Sequence, residues 1–264
     1  MITLKNAEQL ARMREAGALL YQALQTVAQA VKPGVTTKTL DALAEAFIRD
    51  HGATPSFLGY DGFPATLCTS VDSCVIHGIP SDRDALREGS ILSLDCGLVL
   101  DGWQADSALT VPVGEVSPES LRLIRVTEDS FFAGARAALN GSRLGDIGSA
   151  VQAVAEGAGF GVVRDYTGHG IGREMHEEPA VYNFGLPGHG QRLCGGMTIA
   201  IEPMITRGDW HTDTGDDGWA VFTRDRSLAA HYEHTIAIMA DGLPEILTLP
   251  GHRWEEESHG SDSL

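Results

Sequence analysis

Basic residues are scarce in this sequence. Lysine and arginine together number 19 against 36 aspartates and glutamates, which leaves a formal net charge of -17 at pH 7. Proteins that bind nucleic acids or anionic membranes through phosphate groups need the opposite balance. The charge therefore argues against DNA and membrane surfaces as partners, and it is compatible with a cationic ligand such as a peptide with a free amino terminus.

Cysteines are also few, and long apolar runs are absent. The four cysteines form no CxxC pair and show no zinc-knuckle spacing, so we expect free, buried thiols in a reducing cytoplasm. No apolar stretch reaches the roughly 18 residues that a membrane span requires. Residues Met1–Gly17 carry charges throughout and lack the apolar centre of a secretion signal. These absences predict a cytoplasmic protein.

The patterns that are present predict two pairs of helices, each followed by β-rich sequence. Apolar residues recur at three- and four-residue spacing in the helical segments, and Ser117-Pro118 is typical of a helix start. The repeated order of helix, helix and strands indicates an α+β fold of two related halves. The predicted helices are Asn6–Val31, Thr37–His51, Pro118–Leu139 and Leu144–Gly157, and the predicted strands lie in Ile91–Val113, near Thr198–Ile205 and near His231–Met239.

One predicted hairpin brings two aspartates together. Asp101-Gly102 is a strong two-residue turn, and with this turn Gly97 faces Asp106 on the partner strand. Side chains alternate along a strand, so Asp95 lies on the same face as Gly97. Asp95 and Asp106 then become diagonal neighbours, about 7–8 Å apart at the backbone. The alternative is a pair of solvated carboxylates on an exposed sheet face, which the apolar neighbours disfavour.

Two glutamates interrupt apolar strand patterns further along the chain. Glu202 ends one such pattern immediately before a proline, and Glu233 lies within another. A buried glutamate is costly unless it is paired, and each of these taken alone fits a structural salt bridge as well as a metal ligand. If both converge with Asp95 and Asp106, two divalent cations would balance their four negative charges.

Three histidines stand in loops beside glycines or acidic residues. His169 lies in Gly168–Gly172, where glycines allow the backbone to approach a site closely. A phosphate loop is disfavoured there, because no Lys-Ser/Thr pair and no Rossmann helix follow. His77 precedes a glycine, and His176 precedes two glutamates without the second histidine of a zincin motif. Each histidine alone is more often structural than catalytic.

Taken together, these segments resemble the methionine aminopeptidases of the short bacterial type. The resemblance covers about Asn6–Pro250 and implies the pita-bread fold, an α+β architecture of two pseudo-symmetric halves with a central curved antiparallel sheet flanked by helices. We expect residues 1–250 to form a single pita-bread catalytic domain and residues 251–264 to form an acidic, flexible tail. The motifs are His77-Gly78-Ile79-Pro80, Leu94-Asp95 with Asp106 eleven residues on, Gly168–Gly172, His176-Glu177-Glu178-Pro179, Ile201-Glu202-Pro203 and Tyr232-Glu233-His234-Thr235.

The resemblance implies a centre of two divalent metal ions, with Mn, Co, Fe and Zn all compatible with the ligand set. Asp95 would chelate one ion, and Asp106 and Glu233 would bridge both. His169 and Glu202 would complete the coordination of the second ion.

Catalytic roles are implied for two further histidines and for Glu202. His176 would contact the scissile amide and stabilise the tetrahedral intermediate. His77 would lie behind the ligands near the substrate's amino group, and Glu202 is also a candidate proton shuttle beside the bridging water.

A pocket for the methionine side chain follows from the same resemblance. Phe57, Phe63 and Met175 stand where many family members have Cys, Tyr and Phe, yet all three are apolar, so a pocket for a thioether survives. The implied substrate-binding residues are Phe57, Tyr60, Phe63, Cys68, His77, Met175, His176 and Trp219.

The implied function is removal of the initiator methionine from nascent proteins and peptides with a small second residue, by a hydroxide activated by two metals. The expected partners are peptide and nascent-chain N-termini, with transient contact to the ribosome, and the default oligomeric state is a monomer. One alternative is a proline-specific pita-bread peptidase, which usually carries an N-terminal domain, whereas 94 residues precede Asp95 here. Another alternative is a binding protein of this fold that has lost catalysis, although all five candidate ligands are present.

Overall fold

Four helices begin at side-chain caps or capping boxes in this computed structural model, which describes residues 2–254. The Asn6 side chain and Gln9 form a reciprocal capping box, and Thr36 and Ser117 accept from the backbone N–H three residues on. Residues 255–264, most of the expected acidic tail, lie outside the described residues. The helices are α1 Ala7–Ala30, α2 Thr37–Asp50, α3 Pro118–Ala137 and α4 Leu144–Gly157.

The helix predictions are confirmed to within two residues at every end. Helix α3 stops at Ala137 rather than Leu139, where the Ser142 hydroxyl accepts from the Leu139 N–H and lies within hydrogen-bond distance of the Ala137 and Leu139 carbonyl oxygens. Trp254 packs against this helix, with its ring edge-on to Phe132 and the Arg136 guanidinium over its face. No helix within residues 2–254 is both long and apolar enough to cross a membrane.

The strands form one large antiparallel sheet and two small ones. The nine-stranded sheet has the order β1-β4-β5-β14-β9-β7-β8, with β2 beside β4 and β15 beside β14, and the small sheets are β13-β10-β6 and β11-β12-β3. The strands are β1 Thr54–Pro55, β2 Leu67–Val71, β3 Cys74–Ile76, β4 Ile91–Leu100, β5 Trp103–Pro112, β6 Gly161–Val162, β7 Gly168–Gly170, β8 Glu177–Val181, β9 Thr198–Ile201, β10 Met204–Thr206, β11 Thr212–Thr214, β12 Val221–Thr223, β13 Ala229–His231, β14 Glu233–Ala237 and β15 Glu245–Ile246.

The predicted hairpin is present between β4 and β5. Asp101 and Gly102 adopt φ angles of 51° and 75°, as a primed two-residue turn requires. Gly97 pairs with Asp106, and Asp95 pairs with Ala108. The register thus places Asp95 and Asp106 on one face, as expected.

The two strands predicted after α4 are present, but neither is continuous. The first breaks in its middle and the second next to its start, and in each the two parts belong to different sheets. Strand β9 ends at Ile201 and β10 begins at Met204, while β13 ends at His231 and β14 begins at Glu233. Proline has no N–H for a strand ladder, and the Pro203 carbonyl instead accepts from Tyr232 at 3.2 Å. Glu202 therefore lies in a gap between strands.

The helices divide between two halves of the large sheet. The core of one half joins α1 and α2 to β4, where Leu20 and Leu40 pack with Leu94. The core of the other joins α3 and α4 to β9 and β14, where Phe131 and Val151 pack with Ile199 and Ile236. This arrangement confirms the α+β fold of two related halves, and the carboxylates lie on the strands between them.

Candidate active site

The five predicted metal ligands come from adjacent parts of the large sheet and line one cavity of about 310 Å³. Asp95 lies on β4, Asp106 on β5 and His169 on β7, while Glu202 follows β9 and Glu233 opens β14. Four of them are buried, and the Glu202 side chain is 13% exposed. The structure thus brings the predicted ligands together.

His169 stands between two of the carboxylates. Its Nε2 is 3.6 Å from Asp106 Oδ2 and 3.6 Å from Glu202 Oε1. Its Nδ1 is 2.9 Å from the Gly170 carbonyl, which places the ring proton on Nδ1 and turns Nε2 to the carboxylates. Asp106, His169 and Glu233 each offer a ligand atom, and these atoms lie within 4.8 Å of one another.

In the described part of the chain no lysine or arginine forms an ion pair with these four carboxylates, and His169 is the cation beside two of them. Asp95 Oδ1, Asp106 Oδ1 and Glu233 Oε1 are buried without a hydrogen bond. Burial and the neighbouring carboxylates raise the pKa of Asp95 and of Glu233 well above their ordinary values. Burial also raises the pKa of Glu202 to about 8, with Asp106 adding to the effect and His169 opposing it. Unsatisfied carboxylate oxygens beside an imidazole fit divalent metal ions such as Mn²⁺, Fe²⁺, Co²⁺ or Zn²⁺.

The pKa of His169 responds to the same charges. Burial alone lowers it, but the carboxylates of Asp106 and Glu202 outweigh burial and raise it to about 9. In the metal-free site His169 therefore holds a proton at neutral pH, which a metal ion bound at Nε2 displaces.

His77 and His176 face the same cavity from other segments. Partial burial and the charge of His169 lower the pKa of His176, and burial and His176 lower that of His77. The His176 ring lies 4.4 Å from the His169 ring, measured between centroids. Tyr60 Oη is 2.7 Å from His176 Nδ1. Both rings are thus neutral donors near neutral pH.

Apolar walls complete the cavity beside these polar groups. Phe63 meets Trp219 edge-on, with ring centroids 5.2 Å apart. Cys68 pairs with Asp95 across β2 and β4, and burial raises the pKa of its thiol. All eight residues predicted to bind substrate line the cavity: Phe57, Tyr60, Phe63, Cys68, His77, Met175, His176 and Trp219.

An ion pair fixes the turn that carries Met175 and His176. Lys5 Nζ lies 2.6 Å from Glu177 Oε2, and Glu177 Oε1 accepts from the Arg173 N–H at 2.9 Å. Both charged side chains are largely buried. The N-terminal segment thereby holds one wall of the cavity.

Sequence reasoning missed five residues at or next to the site. Tyr166 and Thr167 precede the Gly168–Gly172 segment, so their closeness to a motif was a signal. The buried His231, whose Nε2 is 3.8 Å from Glu202 Oε2, gave none beyond its place two residues before Glu233. The missed residues are Asp61, Ile76, Tyr166, Thr167 and His231.

Comparisons with known proteins agree with the geometry. A methionine aminopeptidase of Clostridium acetobutylicum is 53% identical over 249 residues, covering 94% of this chain and 99% of the relative. The crystal structure of methionine aminopeptidase from Rickettsia prowazekii matches with a TM-score of 0.92 at 44% identity, covering 94% of this chain and all of that one. A prolidase from Pyrococcus furiosus shares the fold, with a TM-score of 0.75 at 21% identity over 93% of this chain and 65% of its own. Residues 11–240 match metallopeptidase family M24, and the chain belongs to that family.

Proposed function

We propose that this protein is a metal-dependent methionine aminopeptidase, which removes the N-terminal methionine from peptides and nascent proteins with a small second residue. The observation that carries the proposal is the meeting of four acidic side chains and His169 with an apolar cavity of about 310 Å³. The high identity to methionine aminopeptidases over nearly the whole chain supports it.

The proposed metal ligands carry over the roles that the resemblance implies. Asp95 would hold one ion, His169 and Glu202 the other, and Asp106 and Glu233 both. Buried oxygens of Asp95, Asp106 and Glu233 without a hydrogen-bond partner support this set. When bound, two divalent cations neutralise the carboxylates and supply Lewis-acid activation of a water molecule and of the peptide carbonyl.

The apolar walls select and orient the substrate. Phe57, Phe63, Met175 and Trp219 offer aromatic and thioether surface for the methionine side chain. The acidic wall attracts the free α-amine, with His77 beside it. Binding a charged amine at a fixed distance from the reacting atoms confines hydrolysis to the first peptide bond.

Proton handling and charge stabilisation fall to two further groups. Neutral His176 donates a hydrogen bond to the scissile carbonyl oxygen as that oxygen gains charge, and Tyr60 fixes the ring. Glu202 accepts a proton from the attacking water and returns it to the leaving amine.

We further propose that residues 1–250 act as a single catalytic domain in the cytoplasm. The protein would act as a monomer on nascent-chain N-termini and touch the ribosome transiently. The net charge of -17 favours cationic peptide termini over nucleic acid as the main contact.

The test is metal-dependent turnover. Metal-free protein is titrated with Mn²⁺, Co²⁺, Fe²⁺ and Zn²⁺, and methionine release from Met-Ala-Ser is followed beside cleavage of Gly-Pro and Ala-Pro-Ala. We expect methionine release alone. Absence of release with every metal rejects the enzyme, and preferential cleavage of the proline peptides favours a prolyl peptidase of the same fold.

A further inference from the structure

His231 is a buried histidine that has no role in the proposed metal binding, substrate binding or proton transfer. It ends β13 and is 1% exposed, and neither ring nitrogen has a hydrogen-bond partner within the described protein. A neutral imidazole carries one N–H donor and one acceptor, and leaving both unsatisfied in the interior costs free energy. Such a residue calls for an explanation.

Its neighbour is the carboxylate of Glu202. His231 Nε2 lies 3.8 Å from Glu202 Oε2, while Glu202 Oε1 lies 3.6 Å from His169 Nε2. The carboxylate therefore stands between two imidazoles, with one oxygen facing each.

The backbone holds His231 in this position. Its N–H donates to the Thr110 hydroxyl at 2.9 Å, and that hydroxyl lies 2.9 Å from the His231 carbonyl, to which it donates. The next residue, Tyr232, donates to the Pro203 carbonyl and closes the same strand break that leaves Glu202 between β9 and β10. The main chain that carries the ring beside Glu202 is thus held by contacts that are independent of the His231 side chain.

Another buried histidine nearby, His234, differs in its contacts. His234 Nδ1 lies 2.8 Å from Thr248 Oγ1 and 3.0 Å from Ser107 Oγ, and its Nε2 is 3.1 Å from Tyr232 Oη. Its partners explain its burial. His231 lacks such partners, and the acidic side chain that it faces is Glu202.

We propose that His231 is a positioning residue, whose Nε2–H donates to Glu202 Oε2 and so directs Glu202 Oε1 toward His169 and the second metal. The separation of 3.8 Å exceeds the usual N–H···O range by about 0.6 Å, a gap that a small rotation of the flexible glutamate closes. The inference rests on the proposed function, because Glu202 is a ligand in that proposal. Hydrogen bonds behind metal ligands orient them, and losing one typically weakens metal binding about 10- to 100-fold.

Two variants of similar length test the donor. His231→Gln keeps an N–H donor, and His231→Met removes it while remaining unbranched. Met204→Leu is the matched control, since Met204 pairs with His231 across β10 and β13 and its change alters packing alone. Mn²⁺ binding to metal-free protein is measured by calorimetry, folding by circular dichroism, and kcat and KM with Met-Ala-Ser.

For His231→Met we expect Mn²⁺ affinity at the weaker site to fall about 10- to 100-fold and kcat to fall similarly, with KM within about twofold. His231→Gln should stay within about threefold of the wild type in both, and Met204→Leu should match the wild type. A folded His231→Met protein with wild-type affinity and kcat overturns the inference. Equal losses in the Gln and Met variants overturn it as well, because shape rather than the donor then matters.

If the His231→Met protein does not fold, a measurement on the wild-type protein still tests the inference. The ring N–H resonance of His231, assigned by its loss in His231→Gln, should shift on Zn²⁺ addition and in Glu202→Gln. An unchanged resonance overturns the inference. Wild-type protein that binds no metal and releases no methionine instead refutes the proposed function, so the two failures are distinguishable.

Discussion

The phenol oxygen of Tyr60 lies 2.7 Å from Nδ1 of His176, although 116 positions separate the two residues in the chain. Tyr60 comes from the turn after β1, and His176 immediately precedes β8. Their hydrogen bond fixes the His176 ring with Nε2 free for substrate.

This hydrogen bond predicts that kcat falls more when His176 is replaced than when Tyr60 is replaced. His176→Ala should lower kcat about 10²- to 10³-fold, because it removes a donor to the carbonyl oxygen that gains charge. Tyr60→Phe should lower kcat only about 3- to 10-fold, since the ring stays in place and loses one neutral hydrogen bond. Steady-state kinetics with Met-Ala-Ser measure both. A larger loss of kcat in Tyr60→Phe than in His176→Ala would contradict the proposal that His176 contacts the substrate and Tyr60 orients His176.

Asp106→Asn should abolish turnover while leaving the fold intact. The main chain of Asp106 is held by the Thr235 hydroxyl, which accepts from its N–H and donates to its carbonyl. Loss of the carboxylate removes a bridging ligand, so methionine release should fall below detection. Methionine release and thermal melting are the measurements. Asp101→Asn, the same change at the exposed hairpin turn, is the control, and near-full activity of Asp106→Asn refutes the bridging assignment.

Gly97→Ala should narrow the methionine pocket. A Cβ on Gly97 would lie 2.8 Å from Met175 Cε and 2.9 Å from Phe57 Cε1, so both side-chain ends must shift. Because both residues line the cavity, we expect the shift to narrow it. We expect KM for Met-Ala-Ser to rise about 3- to 10-fold with a smaller change in kcat. Gly157→Ala serves as the control, because a methyl group there meets nothing within 4 Å. An unchanged KM in Gly97→Ala shows that Met175 and Phe57 yield in another direction.

The metal-free protein should lose stability as the pH rises from about 5 to about 8. The pKa of Asp95 and of Glu233 is raised by burial and neighbouring carboxylates, and that of Glu202 to about 8. A carboxyl group whose pKa is higher in the folded state binds more protons there than when unfolded. The free energy of unfolding therefore falls as the pH rises from the ordinary pKa through the raised one.

Melting curves of the metal-free protein across that pH range check the sign. Mn²⁺ should raise Tm more at the upper end of the range than at the lower end, because it binds the ionised carboxylates of the folded state. Glu202→Gln should make the pH dependence shallower. A Tm that rises with pH in the metal-free protein contradicts this prediction.

The β4–β5 hairpin is a feature that the local sequence pattern predicted correctly. Asp101-Gly102 set the register of β4 and β5, and that register placed Asp95 and Asp106 on one face. The caps at Asn6, Thr36 and Ser117 likewise start helices where expected. Turns and helix caps depend on residues only a few positions apart, so they can be predicted from the sequence alone.

The strand breaks show where local pattern failed. Apolar sequence runs on both sides of Glu202 and Tyr232, and nothing within it states that the two sides join different sheets. Pro203 was a visible signal, but its effect depends on the hydrogen bond from Tyr232, about 30 residues away.

The sequence by itself determined the helices, most of the strands, the net negative charge and the identity of the candidate metal ligands. These depend on composition or on residues that are neighbours in the chain. Only the tertiary structure decided that Tyr60 meets His176, that Glu202 lies between His169 and His231, and that Lys5 holds the turn before Glu177. Those contacts join residues up to 172 positions apart. Their distances are set by strand pairing and core packing across the whole sheet, which no local pattern encodes.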